Sequence, residues 1–209
     1  MDQAYGSALP EGHLRAAAGM TTGDDMSHKQ KLINAYQSMV EERVDAGFEG
    51  SLLTLMFKDL KGSEAACKAR MENEVERIYA TLLTRFLKDQ SKVPIDEWPF
   101  FMGCVDWPVH KKVKKAIHGI ANNDGMHFGG IYMVPPKTRT AMNLEDVVER
   151  AMPQIMRSGL LTNIHVKPIR DTPRKAAGYV LKSFDRLRIG SDEILILPRH
   201  HSEMSKKGA

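Results

Sequence analysis

The chain is poor in cysteine: two in 209 residues, Cys67 and Cys104, and neither belongs to a Cys-x-x-Cys pair. A disulfide framework is therefore not implied, and the default setting is a reduced cytoplasm. No apolar run approaches the roughly 18 residues that a membrane helix requires, so no membrane partner is expected. The opening MDQAYGSALPEGHLRAAAG lacks a charged start followed by an apolar stretch, which argues against a signal peptide. There is no internal repeat and no low-complexity tract. What is there is globular in character. Hydrophobic residues make up 42% and charged residues 27%, enough for one domain with a real core.

Net charge is only +4, but it is unevenly spread. Residues 108–140 carry six Lys or Arg against one acid, and residues 153–209 carry eleven against five, while the rest is acidic overall. A basic C-terminal half suits a polyanionic partner, most often nucleic acid, although a solvated basic face has the same composition.

Periodicity gives a coarse map. Residues 1–26 show no period and are expected to form a disordered tail, residues 27–200 a single domain, and residues 201–209 a polar tail. A helix is expected from Ser27, as N-cap, to a stop at Gly47, with Leu32, Ala35, Tyr36, Met39, Val40 and Val44 on one face. SLLTLMFKDL, 51–60, reads as a buried strand, and residues 63–89 as a long helix. PFFMGCVDWPV (99–109) and GMHFGGIYM with the following Val-Pro read as strands. The link between them ends in Asn-Asn-Asp-Gly, which predicts an antiparallel pair. A helix capped by Asn143 and stopped at Gly159 follows, then a strand at TNIHVKPI, one helix over RDTPRKAAGYVLKSFDRL, and a last strand at DEILILP. The expected fold class is α+β: a mostly antiparallel central sheet, with helices packed on one face.

Three segments carry chemistry by their order: a strand LLTLMF around Thr54, His127 at the start of a strand, and Tyr179 three residues before Lys182 on a late helix. Residues three apart share a helix face. This set resembles the HUH endonuclease superfamily over about residues 50–200, and is nearest to the rolling-circle replication initiators of small phages and plasmids. The resemblance implies a ferredoxin- or RRM-related sheet and a nickase acting on single-stranded DNA or an origin hairpin. It also implies a replisome or helicase partner and a divalent metal, Mg²⁺ or Mn²⁺.

The family's metal site uses two histidines in His-x-His, because alternate strand residues share a face. Here the match is His127-Phe128-Gly129, and glycine supplies no ligand. Asp106, on the preceding strand, is the candidate second ligand, so metal is expected to bind weakly if at all. His165, His110 and His118 are further imidazoles, and His200 and His201 lie in the polar tail. The resemblance makes Tyr179 the nucleophile, forming a 5′-phosphotyrosine link, with Lys182 as its helper. Lys111, Lys112, Lys114 and Lys115 are candidates for gripping the DNA backbone. Trp107, Phe128 and Tyr132 are candidates for stacking bases or, as strand aromatics, for the core. The alternative is a catalytically degenerate binding module of the same fold that grips nucleic acid without cutting it.

Overall fold

A computed structural model describes residues 23–107, 126–170, 172–186 and 189–199. The basic link with Lys111, Lys112, Lys114, Lys115, His110 and His118 lies outside the described residues, as do residues 1–22 and the tail with His200 and His201.

The elements follow in the order α1 (Gly23–Asp45), β1 (Glu49–Phe57), α2 (Glu64–Phe86), β2 (Phe100–Asp106), β3 (His127–Val134), α3 (Leu144–Ile155), β4 (Leu161–Pro168), α4 (Pro173–Val180), α5 (Lys182–Asp185) and β5 (Leu195–Leu197). The five strands form one sheet in the order β4-β1-β3-β2-β5, with every neighbouring pair antiparallel. The fold is thus α+β with an antiparallel sheet and flanking helices. From β1 to β4 it is a split β-α-β arrangement, in which β3 lies between β1 and β2.

Several helix ends follow from local chemistry. The Ser63 hydroxyl accepts from the Ala66 amide at the start of α2, and the Asn143 side chain accepts from the Asp146 amide at the start of α3. Gly159 closes the α3 region with φ of 68°, a left-handed conformation that glycine adopts freely. Two expectations differ. Helix α1 begins at Gly23, so Ser27 lies inside it rather than capping it. The single late helix is divided at Leu181 into α4 and α5.

Helices pack on both faces of the sheet rather than on one. One face carries Leu53, Leu55, Phe57, Phe101, Val105, Phe128, Tyr132 and Ile164 against α2 and α3. The other carries Phe100, Met102, Cys104, Ile131 and Met133 against α1, α4 and α5. The reason lies in the strands: β2 is buried at every position from Phe100 to Val105, and β3 from Gly130 to Val134, so both sides must be covered. Helices α2 and α3 are also tied by a polar cluster. Buried Glu74 accepts from Arg77 and Ser158, and Arg77 donates to the Gln154 and Ile155 carbonyls at the end of α3.

The α2 side of the core contains one orphan. The Tyr132 hydroxyl is buried and has no hydrogen-bond partner among the described residues. Its ring packs against Tyr79, Phe86 and Phe101 at centroid distances of 6.0, 6.2 and 6.5 Å. By contrast, the Tyr79 hydroxyl donates to the Pro99 carbonyl at 2.6 Å. Because an unpaired buried hydroxyl carries its full desolvation cost, Tyr132→Phe is expected to raise stability by about 1 kcal/mol. Urea unfolding of the two proteins measures this, and a less stable variant would mean that the hydroxyl has found a partner.

Candidate functional site

The site begins with strand register. Asp106, the last residue of β2, lies directly opposite His127, the first residue of β3. Directly opposed residues on paired strands point to the same face. The register extends that row across β1 and β4 as Asn163, Met56, His127 and Asp106, and the row beside it as His165, Thr54, Gly129 and Cys104. All eight share the face that α1, α4 and α5 cover in part. Toward β4 the cover ends: Asn163 and His165 are exposed, and Thr54, Met56 and Gly129 are half-buried.

Asp106 is the hub. Its Oδ2 lies 3.0 Å from His127 Nε2 and 2.5 Å from Lys182 Nζ, and its Oδ1 accepts from Ser183 Oγ at 3.0 Å. Burial on its own would push this carboxyl up. The hydrogen bonds from His127, Lys182 and Ser183, with the Lys182 charge, outweigh that and hold it well below the usual carboxylate range. Asp106 is therefore an anion across the physiological range.

Lys182 connects this hub to the helix pair. Its ammonium lies 4.7 Å from the centroid of the Tyr179 ring, a cation–π approach, while also contacting Asp106. Tyr179 is 60% exposed, unlike Val180 and Phe184 on α4 and α5, so it stands outside the core. The order Tyr179, Lys182, Asp106, His127 is thus a continuous line of contacts from solvent to the sheet. It is anchored from below by Cys104, whose thiol donates to the Val180 carbonyl at 3.3 Å and joins β2 to α4. Burial pushes that thiol up to about 12, with the Asp106 charge adding to it, so Cys104 is a structural thiol and not a nucleophile.

The candidates named from the sequence fall into three groups. His127, Asp106, Lys182 and Tyr179 come together. His165 shares their sheet face, but it stands two strands from Gly129, about 10 Å at ordinary strand spacing, and its ring pairs with Asn163 at 3.2 Å. Phe128 and Tyr132 are core residues with their rings on the opposite face, and Trp107 is partly buried between the two clusters. Sequence reasoning missed Ser183. Its only signal was adjacency to Lys182, and its role depends on a partner 77 positions away.

The metal expectation can be tested on the donor set. Among the described residues, no group of three or more His, Cys, Asp or Glu side chains converges to hold an ion. Among the described residues this site holds one imidazole and one carboxylate, and the carboxylate oxygens already accept from Lys182 and Ser183. Two positions along from His127, Gly129 supplies no third donor, and no described residue lies within 4 Å of where its side chain would begin. Divalent ions for phosphoryl chemistry want several oxygen or nitrogen ligands, and these residues do not fit a resident Mg²⁺ or Mn²⁺.

No helix among the described residues is long and apolar enough to cross a membrane. No protein-family model, curated protein or solved structure matches the chain, so the reading of its role rests on this line of residues at the edge of an open sheet face.

Proposed function

We propose that this chain is a replication-initiator-like protein that nicks and rejoins single-stranded DNA, alone or within an origin hairpin, with Tyr179 as the nucleophile. The observation that carries the reading is the exposed Tyr179 ring held against Lys182, which is itself fixed by the Asp106–His127 pair. A surface tyrosine with no task gains nothing from a partly buried anion that fixes its neighbouring cation. The excess of basic residues in the C-terminal half supports a polyanionic substrate. The open part of the sheet face, with Asn163, His165 and Thr54 beside Gly129, lies in the register rows of His127 and Cys104 and offers a shelf for a strand.

In this reading the Tyr179 oxygen attacks a backbone phosphorus, a phosphotyrosine bond forms, and the bond to the 3′ oxygen breaks. The phenol loses one proton and the departing oxygen gains one, so the exchange is a transesterification with no net redox change. A reversible covalent link stores the phosphodiester energy for rejoining.

Tyr179→Phe should abolish any covalent adduct between the full chain and labelled single-stranded DNA on a denaturing gel. Folding and non-covalent binding should stay within about twofold of the parent, since only one exposed oxygen is lost. Non-covalent binding itself should weaken steeply as salt rises. A second reading, a binding module of the same fold that does not cut, is favoured by Gly129. It stands if the parent protein binds single-stranded DNA in this salt-dependent way yet never forms an adduct.

A further inference from the structure

We infer that the Lys182 ammonium is the resident cation of this site, occupying the role that a divalent metal would otherwise fill, so that the site acts on a phosphodiester without metal. This inference rests on the reading of Tyr179 as a nucleophile for its catalytic half, while its cation-site half stands on geometry alone.

Three observations converge. The ammonium is already placed where a cation must be: 2.5 Å from the carboxylate and 4.7 Å from the centroid of the ring that bears the nucleophilic oxygen. Both oxygens of the carboxylate are already engaged: Ser183, itself buried, donates to Oδ1, while Lys182 and His127 share Oδ2. A divalent ion on Asp106 would have to expel the ammonium or endure like-charge repulsion at contact distance, which is severe in a partly buried setting. Finally, Gly129 lacks a side chain on this face, and no described residue lies within 4 Å of where one would begin. That space gives a phosphate close access to the sheet beside His127, as expected where the backbone must admit a ligand rather than ligate a metal.

Lysine suits the task. An ammonium has three N–H donors, and Asp106 uses one, leaving two for the oxygens of a phosphodiester. The Lys182 side chain is 30% exposed, so it reaches solvent and substrate while Asp106, at 14%, fixes it from beneath. A preplaced donor aimed at an oxygen that gains charge in the transition state needs no reorganisation when the reaction occurs. Asp106 and Ser183 are positioning residues in this account, and Lys182 is the group that touches the phosphate.

The test has two readouts on the full chain. In the first, adduct formation with a labelled random-sequence pool of single-stranded DNA is compared in EDTA and in Mn²⁺. Equal yields within about twofold are expected, and Lys182→Met, which keeps the stem over Tyr179, should lower the yield in EDTA by roughly 100-fold or more. An adduct that appears only with Mn²⁺ overturns the inference. In the second, calorimetry with Mn²⁺ alone needs no DNA and no activity. The parent should show no tight binding, Lys182→Met should bind at least about tenfold more tightly because the carboxylate is freed, and Gly129→His serves as a gain-of-ligand control. A parent that binds Mn²⁺ tightly, with Lys182→Met unchanged, overturns the inference. If no adduct forms under either condition but Lys182→Met gains Mn²⁺ affinity, the nicking reading fails and the lysine-for-metal assignment stands.

Discussion

Gly130→Ala is expected to destabilise the protein by about 3 kcal/mol, whereas Gly129→Ala, one residue earlier on the same strand, should leave stability unchanged or slightly raised. The two glycines face opposite sides of β3. Gly130 lies directly opposite Gly103 of β2, and the Phe101 ring folds over both. A methyl on Gly130 would overlap Cε2 and Cζ of that ring and come within 2.9 Å of the Met102 carbonyl oxygen. The ring has nowhere to go, being 1% exposed and packed 6.2 Å from Phe128. An aromatic ring laid over glycines is a known way to cover strand backbone that lacks side chains, and it makes those glycines obligatory. At Gly129 a methyl meets no described residue within 4 Å. There the change removes the entropic cost of a glycine in a strand, worth about 0.5 kcal/mol in favour of alanine. Thermal unfolding separates the two, since 3 kcal/mol corresponds to a drop of roughly 6–12 °C for a chain of this size. Equal melting temperatures for both variants would contradict the packing described around Phe101.

Asp106→Asn is expected to cost about 2 kcal/mol at neutral pH, because it leaves Lys182 and His127 facing a neutral amide in a half-buried setting. The groups around this carboxylate are His127 from β3 and Lys182 and Ser183 from α5, with Cys104 two residues earlier on β2. Its folded-state pKa is depressed, so its contribution to stability is present above the unfolded value near 4 and is lost as pH falls toward the folded value. The stability gap between parent and variant should therefore narrow as pH falls below about 4. Denaturant titrations at a series of pH values measure it. A variant as stable as its parent at pH 7, or a gap that does not narrow below about pH 4, would mean that Asp106 is not the anion that holds this site together.

Local chemistry fixed much of the architecture before any tertiary contact is considered. The apolar runs from Leu52 to Phe57 and from Ile131 to Val134, the Ser63 and Asn143 caps, and Gly159 after α3 specify strands and helices by periodicity and backbone preference. These signals sit within a few residues of the elements they define. Tyr179 and Lys182 were legible as a pair from their spacing of three, but Leu181 divides the helix between them, and their contact is made across the junction of α4 and α5. The sequence could not reveal that β2 and β3 are buried on both faces, because the helices that cover them come from distant parts of the chain. Nor could spacing reveal that the adjacent Gly129 and Gly130 face open space and a packed ring respectively, a difference set by strand alternation and by Phe101. The gathering of Asp106, His127 and Ser183 around Lys182 was likewise decided by tertiary structure. It depends on the register of β2 against β3 and on how α5 crosses β2, and it turned a carboxylate expected to hold a metal into one that holds a lysine.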